Sequence, residues 1–289
     1  MKGKNGKIGW IAVLVVALGM SARTVAAADA PERIVSLNLC ADQYLIELAD
    51  KDQIAALSPL ARNAMLSLHA EKADAYPVVP SRAAAVIAKR PDLVITSAFT
   101  GGATVAMLKR HDFRVLELRP TETFADVIAE IRTIAAAVGY PERGEAMIAA
   151  LKRRMPAETA SPGPDAPTAL YYQRRGFATG TDSLINTVME AAGLKNLMAE
   201  MQTAGTRRLS LESVVANAPD ILIIDAPADT PDLGSAVPHH PALARLIPPE
   251  RRVRLSPKLL FCAGPAMADV IDRLKSRVTE ITKAGKTRQ

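Results

Sequence analysis

From Arg33 onward, short apolar runs alternate with stretches whose apolar residues recur at helical spacing. That alternation predicts an α/β architecture with parallel strands. Arg33 to Leu37 reads as a strand and Ala41 to Leu48 as the helix after it. Ile54 to Leu57 is a second short strand. Ala83 to Lys89 is helical and runs into Arg90-Pro91-Asp92-Leu93-Val94-Ile95, where the proline ends the helix ahead of a buried strand. Thr104 to His111 is helical again and Arg114 to Leu118 alternates as a strand.

The same unit recurs: Leu211 to Ala216 is helical and feeds Ala218-Pro219-Asp220-Ile221-Leu222-Ile223-Ile224. Pro91 and Pro219 stand 128 positions apart, so two related lobes are expected. Between them Val127, Ile131, Ile134 and Val138 form an apolar stripe at helical spacing in Ala125 to Val138. Gly139-Tyr140-Pro141 breaks it, and a second helix, Glu142 to Met155, follows. Ser161-Pro162-Gly163-Pro164-Asp165-Ala166-Pro167 has the composition of an exposed linker. Beyond it Thr168 to Gln173 reads as a strand, Asp182 to Ala192 as a helix closed by Gly193, and Arg252 to Leu255 as a late strand. The last helix starts after Gly264-Pro265. The expected plan is therefore a lobe over 29–140, a connecting helix and linker over 141–166, a lobe over 167–280 and a basic tail over 281–289.

The N-terminus changes the reading of charge. Lys2, Lys4 and Lys7 precede an apolar run, Ile8 to Met20, that is shorter than the ~20 residues a bilayer span needs. Ala26-Ala27-Ala28 then offers a small-residue cleavage site, so residues 1–28 read as a secretory signal peptide and the mature chain starts near Asp29. Leu37-Asn38-Leu39-Cys40 only loosely resembles a lipobox, because Leu39 is bulky and Cys40 lies far past the apolar run. Loss of Lys2, Lys4, Lys7 and Arg23 lowers the formal charge from +6 to +2. What positive charge remains is dispersed apart from Arg251-Arg252 and Lys283, Lys286 and Arg288, which gives nucleic-acid binding little support.

Catalytic signatures are missing. There is no Gly-x-Ser-x-Gly elbow and no phosphate loop ending in Gly-Lys-Ser/Thr, so a periplasmic α/β enzyme is only a rival reading. A bare transition-metal carrier needs several histidines converging with a carboxylate, and His69, His111, His239 and His240 show no such pattern. Cys40 and Cys262 would both enter an oxidising compartment, either as a disulfide or as separate thiols.

Several segments together carry a resemblance to a known family. They are Arg33-Ile34-Val35-Ser36-Leu37, Ala88 to Ile95, Gly176 to Leu184, Leu209-Ser210-Leu211-Glu212-Ser213-Val214-Val215 and Gly264-Pro265, in that order along the mature chain. The chain resembles the periplasmic binding proteins that serve ABC importers of ferric siderophores, haem and vitamin B12. The resemblance implies two Rossmann-like α/β lobes with parallel sheets, one long joining helix and a ligand held between the lobes. It also implies an inner-membrane ABC permease as partner, a small metal chelate as cargo, no catalysis, no cofactor beyond the metal of the cargo, and a monomer. A variant of this reading is a binding protein that reports to a sensor.

Ligands of open α/β sheets sit beyond the carboxyl ends of the strands, so residues just after each strand are the candidates. In the first lobe these are Asn38, Cys40, Arg62, Asn63, Phe99 and Thr100. In the second they are Arg174, Arg175, Thr179, Phe261 and Cys262. Arg62, Arg174 and Arg175 suit carboxylates or phosphates, and Phe99 and Phe261 suit a flat apolar face. On that basis a ferric siderophore ranks first, with cobalamin or haem next. The placement brings Cys40 and Cys262 to one cleft from opposite lobes, where a disulfide, thiols that bind a metal centre, and two unrelated core residues are all open. The family docks on its permease through one glutamate per lobe. Glu212 supplies the second, whereas the equivalent first-lobe stretch Arg82-Ala83-Ala84-Ala85-Val86 has Ala84 in that place.

Overall fold

The structure is a computed structural model that describes residues 30–98, 100–155, 161–225 and 233–286. The expected signal peptide over 1–28 and the candidate Phe99 lie outside the described residues.

The first lobe contains β1 (Ile34–Ser36), α1 (Leu39–Leu48), β2 (Ile54–Ala56), α2 (Ala70–Ala73), α3 (Ala83–Ile87), β3 (Leu93–Ser97), α4 (Gly102–Arg110), β4 (Val115–Leu118) and α5 (Phe124–Val138). α6 (Pro141–Arg154) leads to the second lobe. That lobe contains β5 (Thr168–Tyr172), β6 (Phe177–Thr179), α7 (Leu184–Ala191), β7 (Lys195–Asn196), α8 (Leu197–Glu200), β8 (Thr206–Arg208), α9 (Leu211–Ala216), β9 (Ile221–Asp225), α10 (Leu233–Ala236), α11 (Pro241–Leu246), β10 (Arg252–Leu255) and α12 (Ala266–Lys286).

The first sheet is parallel throughout, in the order β2-β1-β3-β4, with Ile34 beside Leu93 and Val94 beside Val115. The second repeats this order as β7-β5-β9-β10, also parallel, with Leu170 beside Leu222 and Leu222 beside Arg252. All five residues of β3 and of β9 are buried, because helices cover both faces of such a sheet.

The two Pro-Asp turns do the same work in each lobe. Asp92 accepts hydrogen bonds from the backbone N–H groups of Glu32 (2.7 Å) and Arg33 (3.0 Å), fixing the start of β1. Asp220 accepts from the backbone N–H and the hydroxyl of Thr168 (2.9 and 3.0 Å), fixing the start of β5. Arginines clamp the carbonyls of both turns, Arg33 on Lys89 and Arg90, and Arg251 on Pro219 and Asp220. The sequence repeat is thus a repeated latch between a helix end and the neighbouring strand.

The second lobe departs from an all-parallel sheet. β6 and β8 run antiparallel, with Tyr172 opposite Ala178 and Ala178 opposite Arg207. Each has three residues, and all of β8 is exposed, so no apolar alternation announces them. The turn from β5 into β6 takes Arg175 (φ 59°) and Gly176 (φ 78°) through the left-handed region.

A pair of antiparallel helices connects the lobes. Val127, Ile131, Ile134 and Val138 are fully buried, and α5 ends on Gly139 in the left-handed conformation that a tight cap requires. Gly144 lets α6 approach α5 closely: a Cβ there would stand 2.5 Å from the Cβ of Ala135. Arg154 at the end of α6 pairs with Asp269 (2.6 Å) and Asp272 (3.0 Å) of α12. Met267, Val270, Ile271 and Leu274 of α12 join a single buried cluster that runs from Ile34 and Leu45 in one lobe to Tyr171 and Ile223 in the other. α12 continues to Lys286, so 281–286 is helix and not the expected tail. Val278 and Ile281 still pack on the core there and extend its apolar face. Among the described residues no helix is long and apolar enough to cross a membrane.

Candidate functional site

The carboxyl ends of the strands of both lobes face one cleft. A cavity of about 670 Å³ is bounded by the segments after β1 (Leu37 to Cys40), β3 (Ser97, Thr100, Gly101) and β4 (Leu118 to Thr121), and across the cleft by Leu184 and 260–263. A second of about 530 Å³ shares Leu184, Leu260 and Phe261 with it and extends along the second lobe past Gln173, Arg174, Thr179 and Asp225. A third of about 440 Å³ opens from the first, sharing Leu118 to Thr121 and Glu130.

Cys40 and Cys262 meet in the first cavity as a disulfide with a Cα separation of 5.3 Å. It ties the first turn of α1 to the segment ahead of α12, across 222 residues. Two contacts brace the same junction: the Tyr44 hydroxyl donates to the carbonyl of Ala263 (2.9 Å), and the Thr187 hydroxyl to that of Glu122 (2.8 Å). Both sulfurs are consumed by the bond, so neither is a thiolate ligand.

The other candidates divide. Asn38 lines the first cavity, but its carbonyl oxygen caps α1 by accepting from the N–H groups of Cys40 (2.9 Å) and Ala41 (3.0 Å), and its amide donates to Ser97 Oγ (3.0 Å). Thr100 lines it beside Ser97, and Asn63 lines the second cavity while its side chain accepts from Met65 N (2.9 Å). Thr179 accepts from Gln173 Nε2 (2.6 Å). Phe261 is 51% exposed between the two cavities, and Leu60 and Met65 are likewise open apolar surface at their edges.

The three arginines are not brought together. Arg62 turns away to the end of α2, donating to the carbonyl of Tyr76 (2.6 Å) and pairing with Asp74 (3.5 Å), where it satisfies the carbonyls a short helix leaves unpaired. Arg175 takes the left-handed turn before β6, outside the lining of the cavities. Of these three, Arg174 is the one that lines the cleft.

Two features were missed in the sequence. Tyr171, next to last in β5, and Asp225, last in the adjacent β9, are joined by a hydrogen bond of 2.7 Å from the phenol to the carboxylate. Burial and Asp225 push the Tyr171 phenol well above its ordinary range. Glu130 and Arg119 both line the first and third cavities, and burial raises the Glu130 carboxyl to about 7. A lone glutamate on an amphipathic helix reads as part of a solvated face, so nothing in the pattern singled it out.

The histidines stand apart. His69 faces Glu47 (3.3 Å), His111 ends α4, His240 caps α11 by accepting from Ala242 N (3.1 Å), and burial, with Arg254 and Arg252, lowers the His239 imidazole below its ordinary range. Among the described residues no group of three or more His, Cys, Asp or Glu is placed to hold a metal.

A family model described as periplasmic binding protein matches residues 34–248. The chain belongs to the periplasmic binding protein family. Cobalamin-binding proteins from two strains of Halobacterium salinarum are 27% identical over 206 residues, which is 70% of this chain and 56% of theirs. The match thus spans little more than half the length of those relatives. Among solved structures, a periplasmic haem-binding protein from Pseudomonas aeruginosa superposes with a TM-score of 0.68 at 22% identity, covering 85% of this chain and 92% of that one. A periplasmic vitamin B12 binding protein of Vibrio cholerae gives 0.67 at 16% identity, covering 88% and 98%. The likeness to these structures, all under 25% identical, shows the fold.

Proposed function

We propose that this protein captures a corrinoid of the cobalamin type in the interlobe cleft and delivers it to an ABC permease in the inner membrane, acting as a monomer. The cargo brings the metal and the protein carries no resident cofactor. The observation that carries the proposal is the composition of the cleft wall. Haem iron ordinarily takes a His, Cys, Met or Tyr side chain as axial ligand. Among the described residues of the wall there is no histidine, both cysteines are bonded to each other, and the Tyr171 hydroxyl is held by Asp225. Among the described residues of the wall, that leaves Met65, at the edge, to ligate iron. A cobalamin supplies its own axial base and needs an apolar, amide-compatible pocket, which Leu60, Leu184, Leu260 and Phe261 offer with few charges. The name of the cobalamin-binding relatives supports the same cargo.

A ferric siderophore, first in the ranking from sequence, loses its basis because Arg62 and Arg175 do not line the cleft, and among the described residues the arginines that do, Arg119 and Arg174, line different cavities. Asn38, Thr100, Arg174, Thr179 and Phe261 remain the proposed contacts, and the disulfide frames them. Glu212, exposed in the first turn of α9, is proposed as the second-lobe permease contact, while the first lobe docks without an acid at Ala84. The test is calorimetric titration with cyanocobalamin, haem and ferric siderophores. Saturable binding of cyanocobalamin at one site is expected. Saturation by a siderophore or haem, with no heat from cyanocobalamin, would overturn the assignment.

A further inference from the structure

Glu130 occupies an unusual position for a carboxyl. It projects from the middle of α5, half-buried, and lines both the first cavity of the cleft and the third cavity that opens from it between the β4–α5 turn and α5. Among the described residues no hydrogen bond or ion pair engages it. The neighbouring acid of the same helix, Asp126, is by contrast locked into the capping box with Thr123. A half-buried, unengaged polar group in a water-accessible cavity awaits a partner of complementary chemistry.

The charged and titratable groups around it are few. Arg119 on the β4–α5 turn, Glu117 of β4 and Asp126 of α5 line the same side cavity, and Tyr44 of α1 feels its charge. The phenol of Tyr44 is pushed far above its ordinary range by burial and by Glu130, so it stays protonated. Glu117 is paired with Lys109, and across the helix pair Arg132 of α5 is matched to Glu145 of α6. From the second lobe the facing residues are Leu184, Leu260 and Phe261, none of them titratable. Desolvation is therefore what raises the Glu130 carboxyl to about 7, so near neutrality much of it carries its proton.

A protonated carboxyl presents one donor and one acceptor side by side, the complement of a primary carboxamide, whose C=O and N–H₂ lie at the same spacing. We propose that Glu130 marks a side subsite of the cleft for a carboxamide-bearing arm of the ligand, with the protonated carboxyl and the amide exchanging two hydrogen bonds. This rests on the corrinoid reading above, since a corrin is fringed with carboxamides whereas a porphyrin of the haem type ends in carboxylates, which an acidic side chain disfavours. When Glu130 ionises it can only accept, so one of the two bonds is lost and a buried charge takes its place. The affinity for an amide-fringed ligand therefore falls as pH rises through about 7.

The experiment is titration of the wild type, Glu130→Gln and Glu130→Ala with cyanocobalamin between pH 6.5 and 8.5, with melting curves to confirm folding. That window lies above the Asp42 carboxyl, which titrates near 6, and above the histidines whose pKa is lowered, His69 and His239. The wild type is expected to weaken by about three- to ten-fold across the window, the worth of one hydrogen bond. Glu130→Gln, which always has a donor and an acceptor, should bind without that slope and match the acidic wild type at pH 8.5. Glu130→Ala should bind more weakly than Glu130→Gln at every pH. A flat wild-type profile, a slope that persists in Glu130→Gln, or an alanine variant as tight as the wild type at pH 6.5 would overturn the subsite while leaving the corrinoid reading standing. No binding of cyanocobalamin by the wild type at any pH would overturn both.

Discussion

The two lobes share one plan and use it differently. In each, a first strand is pinned at its start by an aspartate from a Pro-Asp turn, and each sheet runs in the same parallel order. In each, the helix after the first strand is capped by a polar side chain, Asn38 for α1 and Ser183 for α7, and buries a polar residue near its start, Asp42 and Asn186. The first lobe leaves its sheet purely parallel and gives the cleft its unengaged carboxyl, Glu130. The second inserts β6 and β8 beside β5 and gives the cleft an apolar face and a tyrosine–aspartate pair. Shared topology thus sets where a ligand sits, and the loops and insertions decide what it meets.

The largest effect is expected from cutting the covalent link between the lobes. The double variant Cys40→Ser/Cys262→Ser, or reduction of the wild type, should lower stability by about 2–5 kcal/mol, read from the denaturant midpoint, because the bond joins residues 222 positions apart and so closes a long loop. An unchanged midpoint would mean that the shared core alone holds the lobes in register.

Next comes the difference between Asp42 and Asn186. Asp42 is fully buried, accepting from Ser58 N (3.1 Å) and Ser58 Oγ (2.5 Å), and burial raises its carboxyl to about 6 from the ordinary 3.8. The native state then binds the proton more tightly than the unfolded one, so stability falls as pH rises from about 4 to 6 and the loss persists above. The loss is on the order of 3 kcal/mol from this group. Asp42→Asn, which gives the first lobe the amide the second already has, should flatten that part of the profile in melts at pH 4.5 and 7. A slope identical to the wild type's would remove Asp42 as its source.

The two latches are expected to differ in strength. Asp220→Ala should cost about 2 kcal/mol, because its partners at Thr168 are partly buried and Arg251 also leans on it. Asp92→Ala should cost about 1 kcal/mol, because water can replace it at the exposed N–H groups of Glu32 and Arg33. Equal losses in chemical denaturation would argue that exposure does not separate the lobes. The smallest effect on the isolated protein belongs to Glu212→Ala, which should leave ligand affinity unchanged while reducing permease-dependent uptake. Normal uptake would transfer docking to other residues of either lobe.

The lobed plan was legible because its carriers are strong local signals: buried apolar runs for β3 and β9, a proline ending each preceding helix, and an apolar stripe for α5. The meeting of Cys40 and Cys262 followed from placing both after strands, although sequence alone left their bonding open. Illegible features were those fixed by tertiary context. β8 is polar throughout and earns its strand only by pairing with β6. Arg62 and Arg174 look alike in sequence, yet one is consumed by the carbonyls at the end of α2 and the other lines the cleft. Glu130 differs from other helical glutamates only in what covers it.

The most direct measurement is equilibrium dialysis of the chain from Asp29 against cyanocobalamin, alone and with excess haem. The corrin's visible absorbance serves as the reporter, since Trp10, the single tryptophan, falls in the expected leader. One cobalamin retained per chain, undiminished by haem, is the predicted result. Retention of haem with cobalamin excluded would contradict the account.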